Sequence, residues 1–167
     1  MLNTTLWIAQ GFLALFFLAA GIPKVVGKGI DRWIGFDDVP RMLTIIIGVS
    51  EISAAAGLVV PMLVENLEWT TPLAAVGIAV ISLMASGFHT RAREGLPALE
   101  TALWALLASS IAVGRWGETS TGPSVSAEAL VPAVAALIPT IIAILILLAR
   151  RPVEARPDNS QPLAAAT

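Results

Sequence analysis

Glu51 stands in the stretch "GVSEISAAAG", inside a run that carries no other charge from Met42 to Leu63. Two further ionisable residues border similar runs: Lys24 closes the first, and His89, the single histidine, closes the third. A carboxylate, an ammonium and an imidazole can move protons or hold the polar end of a ligand, and in hydrocarbon each is costly unless partnered. Two chemistries follow. Glu51 with Lys24 or His89 forms a proton-responsive or ligand-binding site, or Glu51 is protonated or salt-bridged and ties helices together.

Spacing places these residues on defined helix faces, because side chains three and four positions apart stack on an α-helix. The first face is Gln10, Ala14, Phe17, Gly21 and Lys24; the second is Thr44, Gly48, Glu51 and Ala55; the third is Ala75, Ala79, Ser82, Ser86 and His89. These are stripes of small and polar residues, which let helices approach closely, so the stripes are expected to face one another. Ile45, Val49, Ile52, Ala56 and Val59 form the contrasting lipid-facing side of the second helix. At 1.5 Å per residue Glu51 lies about 15 Å into the membrane, with Lys24 and His89 about 10 Å shallower. Side chains tilt toward the helix N-terminus, so in helices of alternating direction these three lean toward each other. Trp104, one turn beyond Glu100 in the fourth run, is the candidate apolar wall of such a site, and the expected ligand-binding set is Lys24, Glu51, His89 and Trp104. The bland alternative for Glu100 and Trp104 is a helix-start acid and an interfacial aromatic.

Other chemistries lack their residues. With one histidine and no cysteine there is no credible zinc or haem set, no disulfide and no thiolate, so no intrinsic cofactor is expected and any redox role must be borrowed. The serines lie in helical runs without a nucleophile elbow, and no glycine-rich phosphate loop is present. A formal charge of −2 without a basic, aromatic-laced patch excludes nucleic acid as a partner.

The elements that must position these residues are membrane helices. The 167 residues are 56% hydrophobic and only 13% charged, with a mean hydropathy of +0.82, against about 25% charged in soluble domains. Five hydrophobic runs, roughly 4–26, 41–63, 70–90, 97–114 and 127–149, compare with the ~20 residues a crossing helix needs. None alternates with period two, so the expected class is an all-α polytopic membrane bundle. Gly27 and Gly29 end the first run, Pro40 starts the second and Pro61 closes it; Thr71-Pro72 is expected to cap and start the third, Gly95 to Pro97 starts the fourth, and Ser126 caps the fifth. Residues 27–40, "GKGIDRWIGFDDVP", suit an interfacial helix or re-entrant turn. The expected organisation is a four-helix core over 1–116, an additional transmembrane helix within 117–151 and a disordered cytoplasmic tail over 152–167.

Lys24, Lys28, Arg32, Arg41, Arg91, Arg93, Arg150, Arg151 and Arg156 fall on one side of these crossings, and Arg115 alone on the other. The positive-inside rule therefore expects an outside N-terminus and a cytoplasmic C-terminus.

At this point a resemblance is visible. "FLAAGIPKVVG", "WIGFDDVPRMLTIIIGVSEISAAAGLVVP", "GIAVISLMASGFHTRAREG" and "LWALLASSIAVGR" resemble, over about residues 7 to 116, the DoxX-like family of small bacterial membrane proteins. The marks are Gly21-x-x-Lys24, Gly48-x-x-Glu51 followed by Gly57, Leu58 and Pro61, and a small-residue helix ending in His89. The resemblance implies a four-helix fold in the bacterial inner membrane and an association with membrane redox complexes such as a thiosulfate:quinone oxidoreductase, while distant animal relatives are assembly chaperones. A fifth helix and tail depart from the family pattern.

Function readings follow from both lines. The first is a non-catalytic accessory or chaperone-like subunit whose helical faces bind a membrane partner, a redox enzyme or a second copy of the chain. The second is a quinone or small lipophilic ligand held by Lys24, Glu51 and His89 against Trp104. A third, less favoured, is an intramembrane acid/base isomerase, which needs Glu51 and His89 to converge on one substrate.

Overall fold

In a computed structural model, residues 1–28 and 40–122 are described. They form α1 (Leu2–Val26), α2 (Arg41–Val59) extended by a 3-10 turn (Val60–Leu63), α3 (Thr70–Arg91), α4 (Gly95–Gly114) and a closing 3-10 turn (Trp116–Thr121). Four of these helices, counting α2 with its 3-10 turn, are long and apolar enough to cross a membrane. The expected fifth crossing at 127–149, the tail and most of the 27–40 connection lie outside the described residues.

The boundaries have local causes. Pro40, with an extended ψ of 136°, precedes α2, where its missing N–H costs nothing. Pro61 tightens the end of α2 into a 3-10 turn. Gly27 ends α1 in the left-handed conformation at φ 79° while its N–H bonds Pro23 O at 2.8 Å. At α3 the expectation needs correction: the helix starts at Thr70 after Trp69, and Thr71 is buried with its hydroxyl unpartnered rather than capping.

The helices form a ring in chain order. α1 lies along α2 and α3 along α4, and the smaller α2–α3 and α1–α4 interfaces close the ring. Neighbours run antiparallel: Gln10 meets Leu58 while Gly21 meets Gly48, and Leu6 meets Gly114 while Phe16 meets Trp104. The end carrying Lys24, Arg41 and the α3–α4 turn is therefore opposite the end carrying Trp7, Met62 and Arg115.

Leu13, Phe17, Leu58, Ile78 and Ile111 fill the centre, and alanines at 14, 55, 75, 79, 108 and 112 let the backbones approach around them. Leu15, Ile46, Leu83, Leu106 and Val113 point outward. Such an apolar outer surface suits hydrocarbon, in which helices satisfy their own backbone polar groups.

Candidate functional site

Among the polar residues of the bundle, two buried networks and one half-buried pair join charged or amide side chains. The first network joins α1 to α2. Lys24 Nζ lies 2.5 Å from Glu51 Oε1 and 2.6 Å from Oε2, so one ammonium engages both carboxylate oxygens. Each side chain is only 6% exposed.

Two glycines make room for this pair. A Cβ on Gly21 would stand 2.8 Å from Gly48 O and 3.2 Å from Glu51 Cβ, and one on Gly48 would stand 2.8 Å from both Gly21 O and Lys24 Cβ. Each charged residue therefore sits across from the other helix's glycine. The repeated spacing, glycine then charge three positions later, is a direct consequence: it puts gap and charge on one face of each antiparallel helix.

Arg41 completes the junction from the first turn of α2. Its Nη1 donates to Lys24 O and its Nη2 to Val25 O, both at 2.5 Å. The last carbonyls of a helix have no intrahelical donor, and this guanidinium supplies one.

The second network lies toward the opposite end. Gln10, fully buried, donates from Nε2 to Leu58 O at 2.5 Å and accepts at Oε1 from Arg115 Nε at 2.9 Å. Arg115 is 6% exposed, its guanidinium carbon lies 5.7 Å from the centre of the Trp7 ring, and its Nη2 is buried without a hydrogen-bond partner.

Of the expected ligand-binding set, the structure brings Lys24 and Glu51 together. His89 Nδ1 lies 2.6 Å from Glu94 Oε2, which commits that nitrogen to the α3–α4 turn. Trp104 packs against Phe16 and Phe12 of α1, with centroids 4.7 Å and 5.5 Å apart, and its indole nitrogen is buried without a partner. Ser86, from the third stripe, donates to Ala98 O at 2.8 Å and so ties α3 to α4. Among the described residues no group of three or more His, Asp or Glu could hold a metal.

Arg41, Glu94 and Arg115 are the participants that the sequence reading did not single out. For Arg115 the available signals were its isolation as the single basic residue on its side and the presence of Gln10 in an apolar helix.

A proton-transfer site needs a carboxylate reachable by substrate. Here both Glu51 oxygens bond an adjacent ammonium between close-packed helices, an arrangement that locks α1 to α2. No curated protein and no solved structure matches the chain. The DoxX-like family matches over residues 8–113, which contains Lys24, Glu51, His89 and Trp104 and all of α2, α3 and the α1–α2 junction; the chain belongs to this family of integral membrane proteins.

Proposed function

We propose that this DoxX-like membrane protein is a non-catalytic module, an accessory or chaperone-like subunit whose lipid-facing helices bind a partner within the bilayer. The observation that carries the reading is the buried Lys24–Glu51 pair, in which both carboxylate oxygens bond the ammonium. Charges satisfied in this way hold helices in place and leave the outer faces to do the recognising. A membrane redox enzyme is the partner class suggested by the family resemblance, and the bacterial cytoplasmic membrane, with an outside N-terminus, is the location that the charge distribution favours.

Photo-crosslinking from outward positions such as Leu83 and Leu106 tests this in cells. Discrete adducts that persist in the charge-exchanged variant Lys24→Glu/Glu51→Lys are expected. The competing reading, a quinone or other lipophilic ligand at Lys24, Glu51 and His89 beside Trp104, makes a different forecast: purified protein would carry a stoichiometric quinone or lipid that disappears in a folded Glu51→Gln variant. Finding that ligand, with no crosslinked partner, overturns the accessory reading.

A further inference from the structure

The Arg115 end of the bundle has the makings of a second site, independent of the Lys24–Glu51 junction. A shallow cavity of about 460 Å³, broadly open to its surroundings, lies there, and its walls include Asn3, Leu6, Trp7, Met62, Arg115 and Glu118. Arg115 is more than nine-tenths buried, spends Nε on Gln10 and leaves Nη2 buried with nothing to donate to. Among the described residues no carboxylate lies within ion-pair distance of it.

A guanidinium stays charged at any physiological pH, so burying it without a counter-anion is unfavourable until an oxyanion arrives. Planar N–H groups suit phosphate and carboxylate geometry. The position of the cavity narrows the choice. Trp7 lines it and the exposed Trp116 follows Arg115 in the chain, and tryptophans concentrate at the headgroup layer of a bilayer. Leu6 and Met62 supply apolar wall beside the cation, and Glu118 puts one carboxylate in the same lining. That carboxylate disfavours a multiply charged anion and suits a singly charged phosphate group, either a phosphodiester, with or without an ammonium alongside, or the monoanion of inorganic phosphate.

We propose that Arg115 and Trp7 form a binding site for a singly charged phosphate oxyanion at the end of the bundle opposite Lys24. Its source is either a phospholipid headgroup or a free phosphate, since both offer the same oxygens to Arg115.

The test uses the delipidated full-length chain in detergent, titrated separately with phosphatidylethanolamine, phosphatidylglycerol and inorganic phosphate and read by native mass spectrometry. Saturable, stoichiometric binding is expected, weakened about tenfold or more in Arg115→Gln, the size expected for losing a charge-assisted hydrogen bond. Asn3→Trp, which adds bulk to the exposed lining and leaves Gln10 and Arg115 unchanged, is expected to weaken it as well, and it decides the matter if Arg115→Gln does not fold. Binding of a phospholipid but not of inorganic phosphate assigns the site to a headgroup; saturable, Arg115-dependent binding of inorganic phosphate that displaces lipid assigns it to a free anion. Absence of saturable binding by all three probes, or wild-type binding in the folded variants, overturns the proposal.

Discussion

Gly21 and Gly48 face each other across the α1–α2 crossing so closely that a Cβ on either would stand 2.8 Å from the other's carbonyl oxygen. Backbone cannot step aside as a flexible side chain can. Gly48→Ala is therefore expected to destabilise the protein by about 1–3 kcal/mol, the usual cost of overpacking, and Gly21→Ala by a similar amount. Unfolding in a detergent titration followed by circular dichroism measures it. Wild-type stability in both variants would mean that the helices separate freely.

The ion pair makes an asymmetric forecast. Lys24→Met or Glu51→Gln alone breaks the buried pair, which costs about 3–5 kcal/mol. Replacing both, as Lys24→Met/Glu51→Met, removes both charges and should recover most of the loss, because an apolar pair of similar volume is tolerated in place of a buried bridge. The same titration applied as a double-mutant cycle separates the coupling from the individual losses.

Arg41 is the outer member of the same junction. Arg41→Ala removes two donors from the end of α1, and because this side chain is largely exposed the expected loss is small, about 1 kcal/mol. The sharper readout is hydrogen exchange, with protection falling at the last turn of α1 and hardly changing at Leu13 or Leu58.

Trp104 holds α4 to α1 through Phe12 and Phe16. Trp104→Leu should cost about 1–3 kcal/mol from lost aromatic contact and burial, and Trp104→Phe less. A ligand wall would behave otherwise: its loss would change binding of an added quinone and leave unfolding of the ligand-free protein unmoved.

Much of this geometry is legible in the sequence. Every member of the Gln10–Lys24 and Thr44–Ala55 stripes is buried, since small residues repeated at helical spacing have no better use than close packing. Opposing Cβ tilts brought Lys24 toward Glu51 as their positions implied. The third stripe is only half legible: Ala75, Ala79 and Ser82 are buried, whereas Ser86 and His89 are half-exposed near the bundle end and bond to α4 and its preceding turn. What hid the His89–Glu94 pair was a backbone event. Arg93 adopts φ 58°, in the left-handed region, and the chain folds back so that Glu94 N–H reaches His89 O at 2.9 Å. Nothing in an arginine's side chain announces that conformation. Arg115 was obscured for a related reason: an arginine just past an apolar helix ordinarily reaches water, and only the third dimension shows it turned back onto Gln10.

The two polar ties between α1 and α2, Gln10 to Leu58 and Lys24 to Glu51, are separated by 14 residues along α1, about 21 Å of helix. Fastened near both ends, the two helices cannot slip past each other by a turn: the ~5.4 Å shift would break both ties at once and drive side chains into the glycine gaps. They behave as a single stiff plank. Relative motion is left to the α2–α3 and α1–α4 seams, so any partner that reshapes this protein does so by swinging one hairpin against the other, with the contacts of Phe12 and Phe16 on Trp104 and the Gln10–Arg115 bond among those that must yield.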